Sequence, residues 1–286
     1  MPKQLKLIHI VILLCLSVFA FSTYSIASQK DGLLKIHFFN VGQGDAIFIE
    51  TPNGNQVLID GGPDNKIIQE LAKVMSFYDK NIDLIVMTHS DADHLTGLLE
   101  VLNRYDVENL IYSDIVRDSS LYNSWKKIVH EEMTNVIDPV AGKIIDLGND
   151  ATLTILNPSE SLSGKIMEKT NNESVVLKLK YGENEVLLTG DIEAKSERQI
   201  LLSGNDIKVD ILKIAHHGSK TSTIEEFLFE TSPEVAIIQV GKNRYGHPTQ
   251  EILTRLENFG IKYYRNDLDG TIKIVSDGEN YKIIKN

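Results

Sequence analysis

The sequence THSDADHLTG places two imidazoles and two carboxylates within six consecutive residues. They are His89, Asp91, Asp93 and His94, and they directly follow the apolar run Ile82–Met87. Such a run predicts a buried strand, so the four polar side chains stand in the loop where that strand ends. Imidazole nitrogens and carboxylate oxygens are borderline or hard metal ligands. Spaced this closely, they fit two cations, which in paired sites lie about 3.5–4 Å apart.

A polar helix cap is the alternative interpretation of this segment. Asp93 could cap the helix predicted over Leu95–Leu102, but a cap needs only one such side chain. A calcium loop of EF-hand type is excluded, because Thr96 stands at its Gly position and Leu102 at its closing Glu position. The segment therefore predicts metal binding.

Two further clusters of ligand-type residues stand at predicted strand ends. Asp191 closes the sequence LLTGD, where a carboxylate could bridge two cations or cap the following helix. His216 and His217 lie in KIAHHGSK. A lone histidine would be interpreted as a core residue, but a pair at a strand end favours metal ligation.

The turn GKNRYGHP carries positive charge next to a predicted helix N-terminus. Lys242 and Arg244 accompany His247 there, just before the helix that begins near Thr249. A helix N-terminus with two cations predicts an anion site. A solvated charged turn is the alternative.

Composition excludes several other chemistries. Cys15 is the only cysteine and lies in the N-terminal apolar segment, so thiolate catalysis and Cys-ligated zinc are excluded for the rest of the chain. No complete dinucleotide loop, GKS or GKT phosphate loop, or GxSxG elbow occurs. The net charge is −11, so a nucleic-acid role would need a local basic patch.

The N-terminal segment predicts export. Lys3 and Lys6 precede the apolar run Leu7–Phe21, and small residues follow up to Ser25-Ile26-Ala27, as in a signal peptide. An uncleaved N-terminal anchor is the alternative, although the run is short for a spanning helix. We therefore expect a signal peptide or anchor over 1–28 and a single domain over 29–286. That domain would be secreted or extracytoplasmic, in the periplasm or at the cell surface, without further integral membrane segments.

The pattern of the remaining elements predicts an α/β (α+β) fold. Each half of the chain starts with short meandering strands and ends with strand–helix alternation. Two mixed sheets packed together, with helices on their outer faces, accommodate this order.

In their order along the chain, these clusters resemble the metallo-β-lactamase superfamily. THSDADHLTG stands where that superfamily has its HxHxDH motif, with Asp91 replacing the second histidine. The resemblance implies the αββα four-layer sandwich of that superfamily. It also implies that Asp60 in VLIDGG braces the metal loop, that Asp191 bridges two metals, and that His216 is the last histidine ligand.

The motifs VGQGD, LIDGG, NNES, LLTGD, AHHGS and NRYGHP are further similar to the extracytoplasmic hydrolase domain of ComEC-type DNA-uptake competence proteins. This similarity covers about Leu33–Ile284. Asn40 departs from the pattern, because the relatives usually have Asp there. The histidine that often completes the first metal site is also missing, since His130 alone lies in that interval. Asn172 or Ser174 would approach the first cation instead, which makes it the weaker site.

The resemblance implies a secreted metal-dependent hydrolase, a phosphodiesterase or nuclease acting on phosphodiesters such as single-stranded DNA. Two divalent ions, zinc or manganese, would lower the pKa of a bound water to about 7. The expected ligands of the first ion are His89, Asp91 and Asp191, and those of the second are Asp93, His94, Asp191 and His216. The expected catalytic residues are Asp93, His217 and His247, and the expected substrate contacts are Ser219, Lys242, Arg244, Asn172 and Ser174. No stable protein partner is predicted.

Two other functions stay open at this point. The same fold could hydrolyse a small ester, such as a lactone or a phosphorylcholine ester, and the acidic net charge fits a small substrate. A metal-stabilised binding module without turnover is the second alternative.

Overall fold

The computed structural model describes residues 9–19, 32–132 and 134–285. Two compact units are distinguished, Met1–Gly32 and Leu33–Asn286. In the first unit, residues 9–19 form helix α1 within the predicted apolar run, while the expected cleavage site at Ser25-Ile26-Ala27 lies outside the described residues. Over the described ranges, every helix is too short or too polar to cross a membrane.

The first sheet of the second unit contains eight strands within the described residues. In spatial order they are β15 (Tyr281–Lys285), β14 (Ile272–Ser276), β1 (Leu34–Phe38), β2 (Ile47–Glu50), β3 (Gln56–Ile59), β4 (Asn81–Val86), β5 (Asp106–Ile111) and β6 (Asn135–Ile137). The strands from β3 to β6 are parallel, so their carboxyl ends lie along one edge.

The second sheet contains seven strands in the same part of the chain. Their order is β13 (Lys262–Arg265), β12 (Val235–Ile238), β11 (Ile211–Lys213), β10 (Asn184–Leu188), β9 (Val176–Tyr181), β8 (Ala151–Asn157) and β7 (Ile144–Gly148). The strands from β10 to β13 are parallel. Both sheets therefore have a parallel half and an antiparallel half.

Three apolar layers show how the sheets and helices are stacked. Successive strand side chains point to opposite faces, and in β1 and β8 the residues Ile36 and Leu153 meet between the two sheets. On the outer face of the first sheet, Trp125 packs in a layer formed with α2 (Lys66–Val74), α3 (Ala92–Leu102) and α4 (Ser120–Glu132). On the second sheet, Phe227 packs in a layer with α5 (Ala194–Leu202), α6 (Glu225–Thr231) and α7 (Gln250–Asn258). The predicted αββα four-layer arrangement is confirmed.

Two short elements were not predicted from the sequence. They are β6 and the one-turn helix α8 (Asn266–Asp269), which are too short to show a hydrophobic period. Helix α3 begins at Ala92, three residues before the predicted start at Leu95. Asp93 and His94 therefore lie in the first turn of α3, which fixes the direction of both side chains.

Helix α3 packs unusually close to the loop that follows β3. The Gly61 N–H donates to the carbonyl of His94 over 2.8 Å, and the Gly97 N–H donates to the carbonyl of Gly62 over 3.0 Å. A Cβ atom at position 97 would collide with the carbonyl oxygens of Gly61 and Asp64. Gly97 therefore allows the close approach that keeps His94 beside the end of β3.

We predict that Gly97→Ala destabilises the protein. In an ordinary helix interior the change would stabilise by about 0.5–1 kcal/mol. Here the added methyl group must displace backbone, and we expect a loss of about 1–3 kcal/mol in the free energy of unfolding. Urea denaturation measures it, with the neighbouring Thr96→Ala as the control expected to stay within about 0.5 kcal/mol. A Gly97→Ala protein as stable as the wild type would contradict the close packing.

Candidate metal centre

The candidate site lies where the parallel strands of both sheets end. Asp60 follows β3 and His89 follows β4 in the first sheet, while Asp191 follows β10 and His217 follows β11 in the second. Carboxyl ends of parallel strands are the usual place for a ligand site in open α/β sheets. The two sheets thus contribute to one polar cluster at their common edge.

The carboxylate of Asp191 stands at the centre of this cluster. Its Oδ2 atom lies 3.4 Å from the Nε2 atoms of His94 and His217, and 4.0 Å from those of His89 and His216. Four imidazole nitrogens therefore surround one oxygen atom. The helix-cap alternative for Asp191 is not supported, because the N-cap of α5 is Glu193 and Asp191 itself is buried.

Each of the four rings has an oxygen beside its Nδ1 atom, so that Nε2 faces Asp191. The oxygens are Asp60 Oδ2 for His94 (2.7 Å), the Gln239 carbonyl for His217 (2.9 Å), Thr88 Oγ1 for His89 (3.1 Å) and Glu193 Oε1 for His216 (3.5 Å). Metal-binding histidines are commonly oriented by such a partner on the other ring nitrogen.

Buried atoms without hydrogen bonds indicate what the cluster is suited to hold. Among the described residues, Nε2 of His89, His94 and His217 and Oδ1 of Asp191 have no hydrogen-bond partner. Buried polar groups in native proteins are nearly always satisfied. Divalent cations bound around Asp191 would satisfy these atoms, so the donor set fits the metals that the resemblance implies.

The side chains most suited to one cation are Asp93, His94, Asp191 and His217. The Asp93 carboxylate lies 3.3 Å from His217 Nε2, and ligand atoms of Asp93, His94 and His217 all lie within 4.8 Å of one another. The alternative that Asp93 caps a helix is not supported, since Asp91 occupies the N-cap of α3 and makes no side-chain cap bond.

A second group of ligand atoms around Asp191 suits another cation. His89, His94 and Asp191 form a set of ligand atoms within 4.8 Å of one another. Asp91 Oδ2 lies 3.9 Å from His89 Nε2, and His216 Nε2 lies 3.4 Å from the Asn171 amide and 4.0 Å from Asp191 Oδ2. These residues are the candidates for the first cation.

The two adjacent histidines, His216 and His217, differ in how closely they approach the other ligand-type residues. His217 is 2% exposed and joins the tight group around Asp93, whereas His216 is more exposed and belongs to none of the tight groups in the described chain. Both residues have left-handed backbone conformations, with φ of 50° and 53°. Their rings therefore diverge, with centroids 6.3 Å apart. This geometry favours His217 over His216 for the last-histidine position that the resemblance implied.

Charge in the cluster is balanced by protons. Burial lowers the pKa of His217, but Asp191 and Asp45 outweigh it and raise this pKa to about 10. Burial raises the pKa of Asp191, but His217 and His94 hold it well below its usual range. Without a cation, protonated imidazoles therefore neutralise the carboxylates, and metal binding must displace those protons.

A buried ion pair lies directly behind the histidines. Lys213 Nζ is 2.5 Å from Asp45 Oδ2, and both side chains are almost inaccessible. The other Asp45 oxygen lies 3.4 Å from His217 Nδ1, and Oδ2 lies 3.8 Å from His94 Nδ1. Asp45 thus supports both histidines electrostatically, and Lys213 keeps Asp45 from being an uncompensated buried charge.

Asp60 braces the metal loop as the resemblance implied. Its carboxylate accepts hydrogen bonds from the Thr88 N–H and hydroxyl at 2.8 and 2.6 Å, and it also contacts His94. Asp60 has a φ of 57°. This left-handed conformation is rare for a residue other than glycine, and here it places the Asp60 carboxylate against the Thr88 N–H, the Thr88 hydroxyl and the His94 ring.

Three predicted substrate contacts are engaged in holding loops. Ser174 is fully buried and its hydroxyl bonds the Asn171 carbonyl and the Asp191 N–H. Asn172 Oδ1 accepts the N–H groups of Glu193 and Ser196 at the start of α5. Ser219 is buried and bonds Thr221. In the structure these hydrogen bonds hold the loops around the site, and the role of the three residues as substrate contacts stays a prediction.

The turn GKNRYGHP reaches the site through His247. Its ring centroid lies 5.5 Å from that of His216, and Asn243 holds the turn through both backbone groups of His247. Burial and the charges of His216 and His217 lower the pKa of His247 to about 4. Lys242 and Arg244 are exposed on the same turn.

Sequence reasoning missed several residues of the site. Asp45 stood in the motif VGQGD and Lys213 in KIAHHGSK, but neither residue was assigned a role there. Charged residues in or beside buried strands are the signal that could have found them, since they are almost never fully buried unless paired. Arg117 and Glu193 also contact predicted ligands from loops that carried no motif.

We predict that Lys213→Met destabilises the protein strongly. The change leaves Asp45 charged and buried, and removing one partner of such a pair costs about 3–5 kcal/mol. The exposed Lys220→Met is the matched control and should stay within about 0.5 kcal/mol. The double variant with Asp45→Asn should recover part of the loss, as measured by denaturant unfolding. Equal stability of the two lysine variants would refute the supporting role of the pair.

Two curated proteins are similar in sequence to most of this chain. ComE operon protein 3 of Bacillus subtilis is 29% identical over 277 residues, covering 91% of this chain and 35% of that protein. Recombination protein 2 of Haemophilus influenzae is 26% identical over 270 residues, covering 92% of this chain and 31% of that protein. The chain thus spans about a third of the length of these curated relatives.

A solved structure shares the fold of this chain, and a family model matches most of its sequence. A variant of the β-hydroxylase CmlA superposes with a TM-score of 0.50 at 13% identity, covering 88% of this chain and 54% of that one, which shows a shared fold. The model of the metallo-beta-lactamase superfamily matches residues 39–242, which include His89, Asp93, Asp191 and His217. The chain belongs to the metallo-β-lactamase superfamily.

Proposed function

We propose that this protein is a metal-dependent phosphodiesterase that acts outside the cytoplasm, with single-stranded DNA among its substrates. The superfamily fold and the ligand cluster support a metal-dependent hydrolase. The observation that carries the proposal is Asp191, whose one oxygen faces four imidazole Nε2 atoms. Such a carboxylate suits a bridge between two divalent ions, zinc or manganese.

Each proposed ligand set contains two aspartates and two histidines. Asp93, His94, Asp191 and His217 would hold the second ion, while His89, Asp91, Asp191 and His216 would hold the first. Bound ions would polarise a phosphoryl oxygen and make water acidic enough to ionise near neutral pH. The carboxylate of Asp91 stands where the superfamily motif has an imidazole, so the first set is richer in oxygen than that motif implies, which makes manganese a candidate there.

The protein's own side chains would orient the reactants. Burial raises the pKa of Asp93, but the His217 imidazole 3.3 Å from its carboxylate and the charge of His94 lower it below its usual range, so Asp93 is ionised and can accept a hydrogen bond from the attacking water. His247 is neutral at pH 7 and can donate an N–H to a phosphoryl or leaving oxygen. His217 is not the proton donor in this proposal, because its Nε2 faces Asp93 and Asp191.

A polar cavity of about 520 Å³ gives the substrate room beside the first set. It is lined by Asp91, Arg117, Glu168, Lys169, Asn171, Asn172, Glu173, Glu193 and Lys195. Its three basic side chains, Arg117, Lys169 and Lys195, would contact phosphate groups of a substrate, but four acidic residues line the same cavity, so it is not a net positive patch. The competence-type relatives are compatible with DNA as substrate, and the predicted signal peptide supports an extracytoplasmic location.

Hydrolysis of a small ester is the second candidate. The cavity is lined by four acidic residues, which would contact the positive end of a zwitterionic headgroup such as phosphorylcholine. The size of the substrate distinguishes the two candidates.

Turnover by the purified protein tests the proposal. With Mn²⁺ or Zn²⁺, we expect cleavage of bis-p-nitrophenyl phosphate and of single-stranded DNA, and no activity after chelation. Asp93→Ala should lower kcat/KM by about 10²–10⁴-fold, because it removes a ligand and a hydrogen-bond acceptor for water. Asp106→Ala, at the amino end of β5, is the control expected to keep full activity.

Three other outcomes would change the proposal. Cleavage of bis-p-nitrophenyl phosphate without cleavage of DNA would favour the small-ester function, as would turnover restricted to a lactone panel. Tight metal binding without any turnover would favour a metal-stabilised binding module.

A further inference from the structure

Arg117 contacts the first candidate ligand set from a loop that follows β5. Its Nη1 atom donates to Asp91 Oδ1 and Ser90 Oγ, both at 2.7 Å, and lies 3.3 Å from Thr170 Oγ1. The Thr170 hydroxyl also donates to Asp91 Oδ1, over 3.2 Å. One oxygen of Asp91 is therefore saturated, and only Oδ2 remains directed toward His89.

The two ligand sets differ in this respect. Asp91 is shared between the first cation and a guanidinium that is always charged. Asp93 has no arginine or lysine contact among the described residues, and its charge faces the imidazoles of His217 and His94. Arg117 keeps its charge whether or not a cation is bound. A fixed positive charge therefore contacts a ligand carboxylate in the first set and, within the described residues, not in the second.

We propose that Arg117 sets the affinity of the first cation and makes it the weaker-bound, exchangeable ion of the pair. This inference rests on the proposed metal centre but not on its reaction. Arg117 is a positioning residue here, since it acts through Asp91. The guanidinium partly neutralises the Asp91 carboxylate, so this ligand attracts a cation less strongly. It also repels the divalent ion directly, because the Coulomb energy of two charges falls only as the inverse of their distance.

A purely structural role for Arg117 predicts the opposite sign. If the guanidinium only held Asp91 in place, its removal would leave the carboxylate mobile and weaken the first cation. The direction of the change in metal affinity therefore separates the two roles.

Titration of the full-length protein with Mn²⁺ tests the proposal without a turnover assay. Calorimetry gives the two dissociation constants, and electron paramagnetic resonance counts bound ions. Asp91→Asn should weaken one class of ion and His217→Gln the other, which assigns each constant to its ligand set. In Arg117→Met we expect the first ion to bind about tenfold more tightly or better. The second ion should change by no more than about twofold.

Two matched variants complete the test. Arg117→Lys keeps the charge and should leave the first ion as weak as in the wild type. Arg104→Met removes a surface arginine that pairs with Glu100 on α3 and should alter neither constant. An unchanged or weaker first ion in Arg117→Met would overturn the proposal, and so would tight binding in Arg117→Lys. If the protein shows no turnover but Arg117→Met still binds the first ion more tightly, this inference is supported while the proposed function fails.

Discussion

The buried carboxylate of Asp191 is the constraint on which the site depends. The Ser174 hydroxyl fixes its backbone N–H, and the preceding Gly190 has a φ of 53° with no room for a Cβ atom beside Ser174 and Thr88. A lone charge at this depth would be very costly, so it must be compensated by cations. The end of β4, the start of α3 and the end of β11 place four imidazoles around it, and His217 and His94 hold the pKa of Asp191 well below its usual range. The two sheets meet at their carboxyl edges around one negative charge.

Behind the imidazoles, alternating charge extends into the protein. Asp60 lies behind His94, Asp45 behind His217 and Glu193 behind His216, and Lys213 in turn compensates Asp45. The carboxylates behind the rings help to orient them, so the Nε2 atoms face Asp191 before any cation binds. This preorganisation explains why unsatisfied ligand atoms are concentrated around Asp191.

The sequence predicted most of the fold and the places where ligands would stand, because both depend on local patterns. Apolar runs followed by His or Asp marked the strand ends, and these ends do meet. The division of labour between His216 and His217 could not be predicted, because it depends on two left-handed backbone conformations that have no sequence signal. Arg117 could not be paired with Asp91 from sequence, since tertiary packing alone brings them together.

Anomalous diffraction from crystals grown with Mn²⁺ tests the central claim most directly. We predict two peaks about 3.5–4 Å apart on either side of Asp191. One peak should contact Asp93, His94 and His217, and the other should contact His89, Asp91 and His216. A single ion held by His216 and not contacted by His217, or ions that do not contact Asp191, would contradict the account.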